Sequence, residues 1–247
     1  MRPRIVNLDV DSLEWKPLGP PGLYSRELSR DPETGARTAL QRLSPADRYE
    51  PPKVAHYHHT YEEIIGISGC FSFDSRIWVT PGTYVFHPPE TVHGFKSAIR
   101  EESTFLSRVG RDLDFNFVEQ PEQDDLYCVA ETAPPRQPVV HKSEDNTASM
   151  IPGELLGDRV RARILSTHPE TGEGSALVEL PAGWTSRTAH LGCYLEIFMM
   201  SGGIAVDGNA PVKGRGYFFF PPGSEIGKLC ANEPSLAYVN FGGDIGL

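Results

Sequence analysis

The sequence predicts an all-β protein made of two copies of one domain. Its 247 residues suffice for one large β domain or for two domains of about 120 residues each. Together, 24 glycines and 22 prolines approach a fifth of the chain, which is typical of short strands joined by many turns. Residues 28–43 (LSRDPETGARTALQRL) and 165–180 (LSTHPETGEGSALVEL) are identical at nine of sixteen positions, which indicates an internal repeat.

Further matches extend the repeat along both halves. At a spacing of 134 residues, four markers recur: His56, Glu62, Gly69 and Gly82 match His190, Glu196, Gly203 and Gly216. The spacing changes from 137 to 134 in a segment where a loop can absorb three residues. We therefore predict one domain over residues 1–118, an acidic, proline-rich linker over 119–138, and a second domain over 139–247.

Each copy is predicted to consist of short strands. Segments that are β-branched or aromatic and end in Gly or Pro follow in chain order: EEIIGISG, GTYVFHPP, LEIFMMSGG and GYFFFPPG. No window sustains a long amphipathic helix, and SMIPGELLG predicts a turn or two of helix at most. Strands at such intervals indicate a barrel or a sandwich, with two immunoglobulin-like sandwiches as the alternative.

Charge and composition narrow the class of protein. A formal net charge of −10 argues against nucleic acid or an anionic membrane as the partner. The N-terminal segment MRPRIVNLDVDSLEW lacks the apolar stretch of a secretory signal, and no segment reaches the ~18 apolar residues of a membrane span. Four cysteines without a C-x-x-C pair argue against a zinc ribbon or a disulfide scaffold. We therefore expect a cytoplasmic protein.

Histidines are concentrated in one part of the chain, because five of the eight lie between residues 56 and 93. On an extended strand, His56, His58 and Glu62 project to the same face. A turn at residues 88–90 would aim His93 toward them. Nitrogen and carboxylate ligands in this combination suit Fe(II), Mn, Ni, Zn or Cu, and several buried charges on one face are costly unless they bind something. The pattern predicts a metal site.

This pattern resembles the first motif of the cupin family, Gly-x5-His-x-His-x3,4-Glu-x6-Gly. His56, His58, Glu62 and Gly69 fit its spacing, although Glu50 stands where the leading Gly is expected. Glu63 would satisfy the longer form of the motif, but it projects to the face opposite His56, so Glu62 is the preferred ligand. His59 shares the face of Glu63 and is expected at the outer surface or behind the ligands.

The second cupin motif, Gly-x5-Pro-x-Gly-x2-His-x3-Asn, is also matched. Gly82, Pro88 and His93 fit its spacing, but Glu90 stands in place of the middle Gly, and the final Asn is absent from the Ala- and Ser-containing region after His93. Because the resemblance covers both halves, it implies a bicupin: two tandem double-stranded β-helix, or jelly-roll, barrels. It also implies four metal ligands in the first barrel: His56, His58, Glu62 and His93.

The second copy is predicted to have lost its metal site. In the alignment at a spacing of 134, His190 and Glu196 keep their places, but Gly192 replaces the second histidine. Ile226 or Gly227 occupies the position of His93. Since two ligands hold a divalent metal poorly, we expect a structural barrel or a degenerate pocket with a hydrogen-bonded His190–Glu196 pair. The chain would then bind one divalent transition metal, Fe(II) by preference, with Mn, Ni, Zn or Cu as alternatives.

The cupin resemblance implies a metal-dependent enzyme that acts on a small molecule. The leading hypothesis is an Fe(II) dioxygenase that cleaves a carbon–carbon bond of a small oxygenated or aromatic substrate. A redox-neutral isomerase, lyase or decarboxylase using Mn, Ni or Zn is the first alternative, and a non-enzymatic metal or ligand sensor is the second. His87, Tyr84 and Glu90 are the candidate general bases. No nucleic-acid or membrane partner is expected, and the resemblance is compatible with a homodimer.

Overall fold

The computed structural model describes residues 1–119, 126–127, 135–140, 150–212 and 214–245. These residues form strands and connecting turns, together with two single-turn 3-10 helices at Val10–Ser12 and Pro45–Asp47. The prediction of an all-β fold is therefore confirmed. Within the same ranges, no helix is long and apolar enough to cross a membrane.

The chain divides into two compact units. The N-terminal unit comprises Trp15–Glu144, and the C-terminal unit combines Met1–Glu14 with Asp145–Leu247. In the N-terminal unit the strands are β2 (Lys16–Pro17), β3 (Leu23–Arg30), β4 (Arg37–Leu43), β5 (Ala55–Tyr57), β6 (Glu62–Ser72), β7 (Trp78–Val79), β8 (Tyr84–His87), β9 (Ala98–Val109), β10 (Asn116–Val118) and β11 (Val139–Val140).

The strands of the C-terminal unit begin with one from the N-terminus of the chain. They are β1 (Ile5–Asp9), β12 (Ile151–Leu155), β13 (Asp158–Thr167), β14 (Gly174–Leu180), β15 (Trp184–Thr185), β16 (Ala189–His190), β17 (Leu195–Ser201), β18 (Ala205–Val206), β19 (Gly216–Phe220), β20 (Glu225–Ile226), β21 (Leu229–Ala231) and β22 (Ser235–Phe241).

Both units contain the same large antiparallel sheet. Its order is β11-β8-β6-β9-β4-β3-β2 in the N-terminal unit and β1-β19-β17-β22-β14-β13-β12 in the C-terminal unit. Smaller sheets accompany each: β10-β5 in the former, and β15-β21-β18 and β16-β20 in the latter. The repeated PETG sequence closes the hairpins β3–β4 and β13–β14, and Gly35 and Gly172 take φ values of 76° and 70° there, which glycine adopts readily. The internal repeat is thus present as a repeated strand order.

The predicted domain boundaries are wrong at the N-terminus. Residues 1–14 belong to the C-terminal unit, because β1 pairs with β19 along its edge, with Ile5 opposite Phe219. In the N-terminal unit β11 takes the equivalent place, with Val139 opposite Phe86. A sheet edge left unpaired exposes a row of backbone donors and acceptors. In each unit this edge is paired with a strand from a segment whose composition predicts a terminus or a linker.

The predicted linker over 119–138 is only partly described. Residues 120–125 and 128–134 lie outside the described residues. Of the others, Leu126 and Arg136 are buried, and the Tyr127 amide donates to the Val92 carbonyl at 2.9 Å. These described residues pack into the N-terminal unit, and here too the structure differs from a simple connector.

The register between the two copies differs from the sequence alignment by one residue. Glu63 lies opposite Phe86 on β8, and Glu196 lies opposite Phe219 on β19, a spacing of 133. Gly69 and Gly202 each lie against the equivalent serine, Ser103 or Ser235, and both have positive φ. Because side chains alternate along a strand, a one-residue shift exchanges the two faces. The residues that match His56 and Glu62 are therefore not those that the alignment selected.

Candidate metal centre

Five ionisable side chains converge on one face of the N-terminal unit. His56 lies on β5, and His93 pairs with it: each backbone amide donates to the other residue's carbonyl at 2.9 Å. Glu62, at the start of β6, lies opposite His87, at the end of β8. Directly opposed residues of an antiparallel pair project to the same side. His58, two residues after His56, completes the cluster, and its ring centroid is 5.0 Å from that of His56.

The cluster borders a cavity of about 190 Å³. His56, His58, Glu62 and His93 line it, and His87 lies behind them with its ring centroid 4.3 Å from that of His93. The rest of the wall is mainly apolar and includes Leu23, Leu43, Phe71, Phe73, Phe105 and Phe115. The structure therefore brings the four predicted ligands to one small, largely apolar chamber.

Ligand atoms in the cluster form two overlapping groups. His56, His58 and His93 make one group, and Glu62, His87 and His93 make the other. Within each group the atoms that could bind a metal lie within 4.8 Å of one another. His93 belongs to both, and its Nε2 atom is 3.2 Å from Oε2 of Glu62. This arrangement of imidazole nitrogens and one carboxylate is a donor set for a divalent metal.

Backbone carbonyls orient the three cavity-lining histidines. Nδ1 of His93 lies 2.8 Å from the Thr91 carbonyl oxygen, and Nδ1 of His56 lies 3.5 Å from that of Val54. Nδ1 of His58 is in contact with the Asp114 carbonyl oxygen. A carbonyl only accepts hydrogen bonds, so each Nδ1 is the nitrogen that donates to the backbone, which leaves Nε2 as the nitrogen available to a metal. Neutral rings of this tautomer are the form that ligates metals.

Burial sets the ionisation of the cluster. Desolvation and the neighbouring His93 lower the pKa of His56 to about 4, and desolvation with the same neighbour lowers the pKa of His87 to about 4. Burial by itself would raise the pKa of Glu62, but the facing His87 and His93 rings hold that pKa well below its usual range. At neutral pH His56 and His87 are thus neutral imidazoles beside the ionised Glu62 carboxylate, which fits a divalent cation.

His59 lies outside the cavity but contacts a residue that orients a ligand. It is half-exposed, and Asp114 accepts hydrogen bonds from its backbone amide at 3.0 Å and its ring at 2.5 Å. Asn116 donates to the same carboxylate at 2.8 Å. These bonds, the His59 amide's first, hold the pKa of Asp114 far below its usual range. Asp114 is thereby positioned so that its backbone carbonyl meets the ring of His58.

Two of the three predicted general bases lie elsewhere. Tyr84 projects to the opposite face, where its hydroxyl donates to buried Glu63 at 2.5 Å and receives a bond from Arg136 at 2.9 Å. Glu90 has an exposed side chain, and its contribution is a backbone amide that donates to the His58 carbonyl at 2.7 Å. Tyr84 was placed wrongly because the face of β8 was not assigned. Of the three, His87 lies in the cluster.

The predicted His190–Glu196 pair does not exist in the C-terminal unit. His190 is exposed, whereas Glu196 is buried and bonded to Arg2 at 2.6 Å and to the Tyr217 hydroxyl at 2.6 Å. In the register of the structure, the counterparts of the four predicted ligands are all apolar: Ala189, Leu191, Leu195 and Ile226. These four residues form or pack against the core of that unit. The second site is therefore filled with hydrocarbon and retains none of the ligands.

Several cavity residues were missed from the sequence. Gln41 on β4 and Ser107 on β9 line the cavity, and Phe115 contacts His58 with ring centroids 4.9 Å apart. One signal was available for Gln41. In the aligned repeats, residues 28–43 carry Gln41 where residues 165–180 carry Val178, so a polar group replaces an apolar one on a buried strand.

Comparison with known proteins agrees with this architecture. Residues 4–110 match the family model of the ChrR cupin-like domain. The fold is a cupin fold. A candidate dioxygenase from Nostoc punctiforme PCC 73102 superposes with a TM-score of 0.67 at 16% identity, over 100% of this chain and 82% of that chain.

Two further cupin structures are similar at the level of the fold. Salicylate 1,2-dioxygenase from Pseudoaminobacter salicylatoxidans, as a variant in complex with gentisate, gives a TM-score of 0.56 at 12% identity, covering 84% of this chain and 68% of that chain. A deletion variant of Bacillus subtilis oxalate decarboxylase gives 0.52 at 15% identity, covering 98% and 77%. No curated protein sequence matches this chain significantly.

Proposed function

We propose that this cupin is a bicupin metalloenzyme with one metal site, in its N-terminal unit. His56, His58, Glu62 and His93 would hold one divalent transition metal, Fe(II) by preference. The observation that carries this proposal is the convergence of three Nδ1-anchored histidines and one ionised carboxylate on a single cavity. A metal bound there would be the partner of the Nε2 atoms of all three histidines.

The reaction that we propose is oxidative cleavage of a carbon–carbon bond in a small oxygenated or aromatic substrate. When bound, Fe(II) would supply Lewis acidity toward substrate oxygens and reactivity toward O₂. A volume of about 190 Å³ is slightly larger than the ~150 Å³ cavity known to accept benzene. The similarity to a salicylate 1,2-dioxygenase supports a single-ring substrate, and the similarity to a candidate dioxygenase supports the use of O₂.

The protein's own residues would surround the substrate and the metal ligands. Leu43, Phe71 and Phe105 form an apolar part of the cavity wall, against which a substrate ring would pack. His87 is 1% exposed, and its Nδ1 atom is 3.7 Å from Oε2 of Glu62. We assign His87 to packing beside the Glu62 carboxylate rather than to proton transfer, because its pKa of about 4 makes it a weak base at neutral pH.

Metal content and oxygen consumption test this function together. Protein purified without a histidine tag would be reconstituted anaerobically with Fe(II), and O₂ uptake would be followed with gentisate, salicylate and catechol as probes. We expect O₂ consumption that depends on both Fe(II) and substrate, with ring-opened products. Turnover of these substrates without O₂ uptake would contradict the dioxygenase assignment.

A redox-neutral decarboxylase is the second candidate, because oxalate decarboxylase structures share the fold over nearly the whole chain. The same ligand set could hold Mn, Ni or Zn as a Lewis acid. Release of CO₂ from oxalate by the Mn(II)-loaded protein, without net O₂ uptake, would favour this candidate over the first.

A further inference from the structure

The metal-facing cavity contains a second polar group of residues, on the strands next to the ligands. β9 lies between β6 and β4 in the sheet. Ser107 on β9 lies opposite Ile64, two residues beyond Glu62 on β6, and also opposite Ala39, two residues before Gln41 on β4. Opposed residues and residues two apart share a face. Glu62, Ser107 and Gln41 therefore cross the inner face of three adjacent strands, and all three line the cavity.

Gln41 carries an unsatisfied polar atom. The residue is 8% exposed, and its side-chain oxygen Oε1 has no hydrogen-bond partner in the described part of the chain. Buried polar side-chain atoms are nearly always paired, and an unpaired one destabilises the folded state. Such an exception calls for an explanation, and a ligand that enters the cavity would supply the missing partner.

The C-terminal unit shows that the fold does not require these polar groups. β14 and β22 there correspond to β4 and β9, and Ala176 pairs with Val239 as Ala39 pairs with Ser107. The counterparts of Gln41 and Ser107 are Val178 and Val239, both fully buried in the apolar core. Polar side chains thus occupy these interior positions in the unit that has the histidine cluster, and valines occupy them in the unit that lacks it.

We propose that Gln41, assisted by Ser107, binds a substrate oxygen at the end of the substrate that points away from the metal ligands. The substrate class that follows is a compact, single-ring polyol or phenol with at least three oxygens. Two oxygens would bind the metal, and a hydroxyl on the far side of the ring would bond to the Gln41 amide. This inference rests on the proposed metal site, but not on the reaction being oxidative.

Adjacent strands are ~4.8 Å apart, so β4 and β6 are separated by roughly 10 Å across β9. Side chains reaching inward from both strands leave room for about one ring between them. The Gln41 amide offers one acceptor oxygen and two N–H donors for a substrate hydroxyl. The ring of the substrate would contact the apolar wall of the cavity. Gln41 is therefore a specificity residue rather than a metal ligand.

Binding of simple probes to the Zn(II)-loaded protein tests this inference without any turnover. Catechol has two adjacent hydroxyls, and pyrogallol and hydroxyquinol each add a third. We expect at least one trihydroxy probe to bind the wild type about tenfold more tightly than catechol, in anaerobic titration calorimetry. In Gln41→Leu this advantage should disappear while the affinity for catechol stays within about twofold.

Two further variants keep the test interpretable. Gln41→Val introduces the residue that the C-terminal unit carries at this position, so it should fold and retain zinc even if leucine does not pack. Thr104→Val on β9 is the matched control, because its hydroxyl bonds to Ser68 on the outer face at 2.7 Å, away from the cavity. It should bind all three probes as the wild type does.

Three results would overturn the inference: equal affinity of the wild type for all three probes, a trihydroxy advantage that persists in both Gln41 variants, or a parallel loss of catechol and trihydroxy binding in both Gln41 variants. Failure of the proposed dioxygenase function looks different. In that case the probes would still discriminate between the wild type and Gln41→Leu, although no O₂ is consumed. Loss of zinc from the wild type during titration would instead count against the metal site itself.

Discussion

The three cavity-lining histidines are held by backbone atoms from three separate segments of the N-terminal unit. The carbonyls of Val54, Asp114 and Thr91 each face one Nδ1 atom. Because backbone carbonyls are held by neighbouring strands and turns, the rings are oriented before any metal binds. The His56 ring also packs closely against Gly94, since a Cβ at that position would lie 2.5 Å from Cε1 of His56. The site is therefore built by residues that are not themselves ligands.

Adjacent histidines provide a first prediction at this scale. His58→Ala removes a proposed ligand that is 3% exposed, so we expect metal content to fall from about one equivalent to nearly none, measured by elemental analysis. His59→Ala is the control, because its side chain lies outside the cavity and the substitution keeps the backbone amide that donates to Asp114 at 3.0 Å, so it should remain metal-loaded. Unchanged metal in His58→Ala would mean that the ligands are wrongly chosen.

Glu90 provides a second prediction. It adopts a left-handed φ of 65°, and its counterpart in the C-terminal unit is Gly223, with a φ of 80°. A non-glycine residue there costs roughly 1–2 kcal/mol, partly offset by the extra freedom that glycine has in the unfolded chain. Glu90→Gly should therefore increase the free energy of unfolding by about 0.5–1 kcal/mol in urea titrations.

Gly223→Glu is the reciprocal variant for this test. No heavy atom lies within 4 Å of a Cβ built at Gly223, so strain alone should act, and we expect a loss of about 1 kcal/mol. A destabilised Glu90→Gly protein would show that the Glu90 side chain contributes more than its backbone strain costs.

At the level of elements, the two edge strands are attached in the same way. An arginine precedes the paired residue of each strand by three positions: Arg2 precedes Ile5 of β1, and Arg136 precedes Val139 of β11. Each guanidinium lies over a phenylalanine ring, at 4.1 Å for Phe219 and 4.0 Å for Phe86. Each also pairs with a buried glutamate and the tyrosine bonded to that glutamate. The buried glutamates Glu63 and Glu196 therefore help to attach the edge strands. Glu63 does so on the face of β6 opposite the proposed metal ligands.

Arg2 gives the prediction for this scale. Arg2→Ala removes the guanidinium that lies 2.6 Å from the carboxylate of Glu196, which is 0% exposed. Removing one member of a buried ion pair typically costs about 3–5 kcal/mol. We expect faster hydrogen exchange in β1, β17 and β19, followed by mass spectrometry. Arg4→Ala is the control, because Arg4 makes an exposed 3.4 Å bond to the Glu225 carbonyl, and an equal effect there would argue against the buried pair.

On the scale of the whole molecule, one repeated architecture has two different interiors. The interior of the C-terminal unit is a continuous apolar core that contains Leu191, Leu195, Val239 and Ile226. The corresponding positions of the N-terminal unit carry histidines, a glutamate and a serine around a cavity. Both interiors are compatible with the same strand order, so one fold accommodates a polar cavity in one unit and an apolar core in the other.

Metal stoichiometry is the prediction at this scale. We expect about one metal per chain, and we expect Gly192→His to leave that number unchanged. Gly192 corresponds to the half-exposed His59 in the structural register, and it is exposed itself, so a histidine there would point into solvent. Two equivalents of tightly bound metal in the wild type, by elemental analysis, would contradict the filled interior of the C-terminal unit.

Much of the site was predictable because strand alternation is a local property. His56, His58 and Glu62 lie on one face and Glu63 on the other, as their spacing indicates. The error in the second copy has an equally local origin. The doublets Glu62-Glu63 and Gly202-Gly203 let the repeats align at either 133 or 134. Only at 133 do the tyrosines Tyr84 and Tyr217 also match, which sequence comparison could have used.

By itself the sequence determined the all-β class, the repeat and the concentration of histidines in one copy. These features follow from composition, from comparison of the two halves and from period-two alternation, which involves only a few neighbouring residues. The tertiary structure decided which strand closes each sheet edge, and it placed the N-terminal strand in the C-terminal unit. It also decided the register of the repeat and the position of Gln41 beside the metal ligands. These features depend on pairing between distant segments, and the free energy of that pairing is not encoded in any short window.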